Sequence, residues 1–326
     1  MTRDKVLSLL NTAGDFISGE EMSRQIGVSR MTVSSAVKSL RGEGYDITSV
    51  TNRGYKLNGG PDNITAGELA PYLAAERLKS IICLDTVDST NNYLKANSDG
   101  AANGTVVIAD EQTGGKGRLG RSFSSPAGKG LYLSMLMRPD CSPADTANIT
   151  AWVAVAARRA VERASGIETD IKWVNDLLLE GRKICGILTE MAVESESGHV
   201  DYVVVGIGIN VNHDPSDFPE EIRDKAGSLK MYSGSTHKRA VLAAELIKEL
   251  DKIRDGFPAL KEEYLEAYRK YCSSIGAEVI ARGKGQERRG RVIAVNDDFS
   301  IKIKFAEGKT EDLNTGEISI LPVKEM

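Results

Sequence analysis

Gln112-Thr-Gly-Gly-Lys-Gly-Arg-Leu-Gly-Arg-Ser-Phe123 is the stretch on which the fold turns. Between residues 112 and 121 it places Gly114, Gly115, Gly117 and Gly120 among the cations Lys116, Arg118 and Arg121. Glycines let a backbone take positive φ and approach a ligand closely. Fixed cations beside exposed backbone N–H groups suit phosphate. Gly115, Gly117 and Gly120 also satisfy G-x-G-x-x-G, which marks a dinucleotide site only if a strand precedes it and a helix opens inside it. Val106-Val-Ile-Ala109 supplies the strand, but Pro126, Gly128 and Gly130 forbid the helix. The next apolar run, Leu131 to Met137, is again strand-like. The loop therefore joins two strands, and a mixed sheet is expected in place of a doubly wound parallel one. A Walker loop fails as well, because Gly128-Lys129 is followed by Gly130.

Outward from the loop, strands are expected at Ile81–Leu84, Thr105–Ala109, Leu131–Met137, Asp170–Trp173, Leu177–Leu179, Cys185–Met191 and Tyr202–Asn210. Long helices are expected at Ala144–Ala164 and Thr236–Tyr271. Beyond residue 272 the pattern changes to five short strands, Glu278–Arg282, Arg289–Val295, Ser300–Phe305, Thr310–Leu313 and Ile318–Leu321. Turns at Gly283-Lys-Gly, Asn296-Asp-Asp, Glu307-Gly-Lys and Asn314-Thr-Gly separate them. That spacing predicts a small SH3-like β-barrel. The chain divides as 1–61, 62–272 and 273–326, an α/β multidomain protein.

The first segment predicts a winged helix-turn-helix with its linker. Lys5 to Leu10 carries helical apolar spacing, Ser18-Gly-Glu-Glu21 fits a capping box, and Ile26-Gly-Val28 is a tight turn. Ser29 caps a third helix to about Arg41, with Met31, Val33, Val37 and Leu40 facing inward. Asp46–Ser49 and Tyr55–Leu57 form a hairpin around Thr51-Asn-Arg-Gly54, and Asn58-Gly-Gly-Pro-Asp62 is a linker. Arg30, Thr32, Ser34, Ser35 and Lys38 are placed on the outward side of the third helix, with Arg53 and Lys56 at the wing; these types suit major-groove edges and phosphates. A winged helix can also dock on protein, which is the alternative.

Charge supports that division. The 326 residues carry a net charge of −4, which argues against a general nucleic-acid binder. Residues 1–57 hold 8 Lys and Arg against 6 Asp and Glu, a net of +2, which leaves −6 for the rest. Hydrophobic content of 41% is ordinary for a globular chain. No apolar run approaches a membrane span and the N-terminus lacks a signal-peptide core, so a cytoplasmic protein without membrane contact is expected. Cys83, Cys141, Cys185 and Cys272 lie far apart, as do His199, His213 and His237, so neither disulfides nor a structural zinc site is expected.

Each remaining motif has a plain reading beside the functional one. Ser89-Thr90-Asn91 offers hydroxyl and amide partners to a small polar ligand, or simply caps a helix. The glycine loop could be a mobile basic loop. Lys183 follows a turn at Glu180-Gly-Arg182, where a lone lysine is usually a solvated edge charge. Asn175-Asp176 makes a turn. Gly206-Ile-Gly-Ile-Asn210 ends a buried strand whose glycines admit a close neighbour.

Taken in order, Ser89-Thr-Asn91, the 112–123 loop, Lys172-Trp-Val-Asn-Asp176, Gly181-Arg-Lys-Ile-Cys-Gly186 and Gly206–Asn210 resemble biotin protein ligases. With the winged helix, the chain resembles the bifunctional biotin ligase and biotin operon repressor family over nearly its whole length. The resemblance implies a central mixed-sheet α/β ligase domain. It implies that Ser89, Thr90, Asn91, Gln112, Lys116, Gly117, Arg118, Arg121, Lys183 and Asn210 bind biotin or its adenylate. Arg118 and Lys183 would act catalytically, and Asp176 would hold Mg²⁺ or only cap its turn. ATP and Mg²⁺ would be the cofactors and biotin the substrate. The implied partners are a biotin carboxyl carrier protein, operator DNA and a second copy of the chain in a ligand-promoted homodimer. Residues 211–225 match the family's adenylate-ordered loop in position only, and a solvated connection fits their sequence equally well. Lys116, Phe123 and Val174 stand where the family usually has Arg, Trp and Pro. Lysine keeps the charge but loses the bidentate fork. Phenylalanine keeps an apolar wall and loses an indole N–H. The competing classes are a lipoate or octanoate ligase on a related domain, and a non-catalytic biotin-sensing repressor.

Overall fold

A computed structural model describes residues 2–146, 148–194, 198–283, 286–314 and 317–321. The N-terminal unit comprises α1 (Thr2–Ala13), α2 (Gly19–Ile26), α3 (Arg30–Gly42) and the antiparallel hairpin β1 (Asp46–Val50) and β2 (Gly54–Gly59). The Ser18 hydroxyl accepts the Glu21 N–H at 3.0 Å and so caps α2, while Gly27 ends that helix at φ 76°. Ser29 caps α3 in the same way through Thr32. Val33, Ala36, Val37 and Leu40 turn inward onto Val6, Leu7, Leu10 and Met22 in a core separate from the rest of the chain. Met31 does not join them. It is 83% exposed, because a helix face repeats at three and four residues and Met31 precedes Val33 by only two. The linker is anchored at Asp62, whose carboxylate accepts from the backbone and guanidinium of the buried Arg239.

Central strands and helices alternate as α4 (Ala66–Leu69), α5 (Ala75–Leu78), β3 (Ile81–Val87), α6 (Thr90–Ala96), β4 (Val106–Gln112), β5 (Gly130–Met137), α7 (Pro143–Thr146), α8 (Ile149–Ser165), β6 (Asp170–Lys172), β7 (Asp176–Leu179), β8 (Arg182–Val193), β9 (Val200–Asn210), α9 (Leu229–Ser233), α10 (Arg239–Gly256) and α11 (Lys261–Tyr271). The strands form one sheet in the order β3-β4-β5-β9-β8-β7-β6. Only β3 and β4 run parallel, so the sheet is mixed, and the glycine loop joins β4 to β5 as the proline and glycines after it require. The sheet packs on α8 and α10, whose Ala, Val, Leu and Ile faces are fully buried. Two expected helices are each broken in two. Residues 144–164 divide between α7 and α8, and residues 236–271 divide at Phe257-Pro258, where proline lacks the N–H a continuous helix needs.

The C-terminal segment holds β10 (Glu278–Gly283), β11 (Gln286–Val295), β12 (Ile301–Phe305), β13 (Thr310–Leu313) and β14 (Glu317–Ile320). They form an antiparallel sheet in the order β13-β12-β11-β10-β14. The expected barrel is not closed, since among the described residues β13 and β14 do not pair. The sheet instead covers its apolar face by running into the central core. Val279, Val292, Ile301 and Ile303 belong to the same buried cluster as Trp152 and Tyr264. The Trp173 indole N–H donates to the Phe299 carbonyl at 2.9 Å, and Tyr268 meets Phe299 edge-on. The expected turns Gly283-Lys-Gly285 and Asn314-Thr-Gly316 include residues outside those described.

Candidate functional site

The 112–123 stretch folds into a small hairpin of its own. Gly117 N–H donates to the Arg121 carbonyl at 2.7 Å and Phe123 N–H to the Gly115 carbonyl at 2.8 Å. Leu119 at φ 57° and Gly120 at φ 74° turn the tip. Gly114 N–H donates to the Asp88 carbonyl at 2.8 Å, which fastens the loop to the turn that begins α6. Beneath the loop lies a cavity. It is lined by Ser89, Thr90, Asn91, Gln112, Lys116, Gly117, Arg118 and Lys183, so the structure brings together eight of the ten residues expected to bind ligand. Arg121 is exposed and does not line the cavity. Asn210 is buried outside it, where its amide donates to the Gly227 carbonyl at 2.9 Å and ties the end of β9 to the following segment.

The floor is made of glycine. A Cβ at Gly206 would meet the Asn91 Oδ1 at 2.2 Å, and one at Gly208 would meet the Phe123 ring at 2.5 Å. One at Gly186 would come within 3.1 Å of the Lys183 ammonium. The glycines of Gly206-Ile-Gly thus let side chains lie directly on the sheet. They also divide the cavity along the strand. The neutral groups gather at the level of Gly206, and Lys183 and Phe123 at the level of Gly186 and Gly208, two residues or about 7 Å further on.

At the neutral end, Ser89 holds the N-cap position of α6, yet its hydroxyl makes no capping bond and stays available to the cavity. Thr90 donates its backbone N–H to the Gln112 Oε1 at 2.9 Å, and its hydroxyl lies 2.7 Å from that of Ser134. Ser134 donates to the Asn91 Oδ1 at 2.5 Å, and the Asn91 Nδ2 donates to Glu190 at 2.8 Å. Burial alone would raise the Glu190 carboxyl. Hydrogen bonds from Lys95, at 2.5 Å, and from Asn91 outweigh it and leave the group below its ordinary value. Ser134, Glu190 and Lys95 carried no sequence signal, since Ser134 and Glu190 lie in β5 and β8, away from the motif they support, and Lys95 acts only through Glu190.

At the other end, Arg118 donates to the Asn175 Oδ1 at 3.0 Å, and Asn175 in turn holds the Ile187 carbonyl. Lys183 stands 2.6 Å from the Asp176 carboxylate, which Lys172 also faces at 4.0 Å. The whole lining contains three cations and no carboxylate, an arrangement that favours an anionic ligand; the third cation, Lys116, is exposed and donates to the Asn92 Oδ1 at 2.8 Å, on the α6 side. Asp176, expected to hold Mg²⁺ or to cap its turn, here faces the Lys183 ammonium. Among the described residues no three His, Cys, Asp or Glu gather to hold a metal.

The second expected surface lies on α3. Arg30, Thr32, Ser34, Ser35 and Lys38 are all exposed there, together with Met31. At the wing, Arg53 stacks over the Phe16 ring at 4.2 Å and Lys56 pairs with Asp15 at 3.1 Å.

Comparison with known proteins finds matches to both the N-terminal unit and the central domain. The biotin/lipoate A/B protein ligase family model matches residues 83–210, and a helix-turn-helix domain model matches residues 2–56. The chain is 35% identical over 315 residues to the bifunctional ligase/repressor BirA of Bacillus subtilis (strain 168), spanning 94% of this chain and 95% of that protein. Against the Escherichia coli (strain K12) protein of the same name it is 31% identical over 264 residues, 81% of this chain and 79% of that protein. The structure of biotin protein ligase from Aquifex aeolicus in complex with biotin and ATP superposes with a TM-score of 0.60 at 30% identity, covering 74% of this chain and 99% of that one. The chain belongs to the biotin protein ligase family, and within it to the bifunctional ligase/repressors that carry an N-terminal helix-turn-helix domain.

Proposed function

We infer that this protein joins biotin to a lysine of a biotin carboxyl carrier protein at the expense of ATP and represses transcription in response to biotin. The observation that carries the ligase half is a cavity with buried uncharged hydrogen-bonding groups, Thr90 and Asn91, at one end and Arg118 and Lys183 at the other, with the exposed Lys116 held by Asn92 beside the first. Biotin has the matching shape, a polar uncharged ureido head and a carboxylate tail. A plain basic loop does not explain the neutral end, and a helix cap does not explain the cationic one.

In the first step the biotin carboxylate attacks the α-phosphorus of ATP, forming biotinyl-5′-adenylate and releasing pyrophosphate. Negative charge grows on the phosphoryl oxygens, and Arg118 and Lys183 are placed to stabilise it. Arg118 is held by Asn175, so its fork is oriented before the nucleotide arrives. Lys183 can exchange Asp176 for phosphate. Mg²⁺ would neutralise the nucleotide phosphates, travelling with them, as is usual for a cation that binds through substrate phosphates. In the second step the carrier lysine's amine attacks the acyl carbonyl of the mixed anhydride and AMP leaves. The glycine hairpin covers the adenylate and excludes water from it. Arg121, outside the cavity lining, and Asn210, behind it, would reach the nucleotide only if the hairpin and the segment after β9 rearrange around it.

For the repressor half, α3 would enter the major groove of operator DNA with Arg30, Thr32, Ser34, Ser35 and Lys38, while Arg53 and Lys56 hold the backbone. One such module per chain gives modest affinity, so a homodimer promoted by biotinyl-adenylate would read two half-sites. The setting would be the cytoplasm. Incubation with biotin, ATP, Mg²⁺ and a carrier domain should add one biotin to the carrier by mass. Gel shifts with a palindromic site should tighten when biotin and ATP are both present. An unmodified carrier would overturn the ligase half, and DNA binding indifferent to the ligand the repressor half.

A further inference from the structure

Hydrogen-bond direction can be followed through the neutral end of the cavity, because each member has limited protons to give. Glu190 is an ionised carboxylate and only accepts, and the Leu188 carbonyl, 3.4 Å from the Asn91 Nδ2, only accepts too. The amide of Asn91 must therefore turn its Nδ2 towards them and its Oδ1 towards Ser134. Ser134 spends its single proton on that Oδ1. Thr90 must then donate to Ser134, which leaves the Thr90 Oγ1 with lone pairs and no proton for the cavity. The Gln112 Oε1, 3.1 Å away, also lies within reach of the Thr90 proton, but the closer contact with Ser134, at 2.7 Å, needs a proton that Ser134 has already given to Asn91, so the Thr90 proton goes there and the Gln112 Oε1 stays an acceptor. The cavity so presents two acceptor oxygens side by side, matched to a ligand that donates N–H groups.

We propose that Glu190 is a positioning residue that, held by Lys95, fixes the Asn91 amide and through Ser134 sets Thr90 as an acceptor towards the ligand's N–H. It touches no ligand itself. Lys95 does more than balance charge. Its ammonium lies against the second carboxylate oxygen, so that side of Glu190 must also accept. A glutamine at 190 could not satisfy both neighbours. Its carbonyl would go to Lys95 and its NH₂ to Asn91, which drives Asn91 to flip. The reversed chain would give Thr90 a proton facing Gln112 and remove the acceptor the ligand needs.

The inference rests on the biotin reading, and its test separates the two. Full-length wild type, Glu190→Gln, Lys95→Met and the double variant are titrated with biotin alone by calorimetry, and their kinetics and melting are measured. Glu190→Gln should weaken biotin binding about tenfold, the size of one misdirected hydrogen bond, with the KM for biotin rising more than kcat falls and melting unchanged. The double variant should recover wild-type affinity, because without the Lys95 ammonium the glutamine can turn its carbonyl back to Asn91. Unaltered biotin affinity in Glu190→Gln, or the same loss in single and double variants, would overturn the proposal while leaving the ligase reading intact. A wild type that binds no biotin would overturn both.

Discussion

Behind the cavity, the Asn91 amide is held on both sides, by Ser134 and by Glu190, whereas on the outer face of α3 the side chains of Arg30, Ser34, Ser35 and Lys38 stand in solvent. The first surface is set before its ligand arrives, in a dry site where direction as well as distance is fixed. The second keeps its cations within reach of weak exposed partners, such as Glu20 at 3.9 Å from Arg30. Such pairs are worth little and can be exchanged for phosphate at small cost. A small ligand that must be told from its analogues needs the first kind of surface. A polyanion approached from solution is served by the second.

The comparison is broken most severely at Lys183. Lys183→Ala should slow adenylate formation by about a hundredfold or more, since a charge acting on the transferring phosphoryl group is lost. Its backbone bonds to Lys225 and Gly227 stay, so melting should hold. Single-turnover formation of biotinyl-adenylate, read beside a thermal scan, checks it. Wild-type rates would return Lys183 to an edge charge.

Next in size is a pH effect in the segment after β9. His213 is 0% exposed, stacks on Phe218, and neither ring nitrogen has a hydrogen-bond partner. Burial pushes its pKa down to about 4 from 6.5, so protonation favours the unfolded chain. The contribution to stability is therefore complete above about pH 6.5 and is lost as pH falls towards 4, roughly 3 kcal/mol in all. Melting temperature measured across that window should fall more steeply in wild type than in His213→Leu. Parallel curves would contradict it.

Gly208→Ala sharpens the contrast from the packing side. Its new methyl must displace the Phe123 ring, and overpacking of this kind costs about 1–3 kcal/mol. Weaker biotin binding together with intact DNA binding is expected, by calorimetry and gel shift. The smallest effect belongs to α3. Lys38→Ala should lower the slope of log affinity against log salt by about one phosphate contact, with little change in sequence preference. A slope unchanged by the substitution would take Lys38 off the DNA.

What the sequence disclosed follows the same division. The glycine hairpin was legible because glycines and cations at close spacing have few other uses, and the order of strands around it excluded a Rossmann unit. The caps at Ser18 and Ser29 were legible because capping is local. Lys95, Ser134 and Glu190 were not, because their partners lie in other elements, as far as 99 residues away in the case of Asn91 and Glu190. Met31 is as apolar as its core neighbours, but its spacing to Val33 is not helical, whereas Ala36 falls on the buried face with a side chain too small to signal it. The break at Pro258 is local, and proline by itself marks it. Closure of the last sheet depends on pairing between its first and last strands, which strand spacing alone does not specify.

The central claim, that the divided cavity activates biotin with ATP, is tested most directly by pyrophosphate exchange into ATP, measured with biotin, lipoate or octanoate as the acid. Exchange that requires biotin, ignores the other two and collapses in Lys183→Ala is the predicted result. Exchange driven by lipoate or octanoate, or none with biotin, would contradict it.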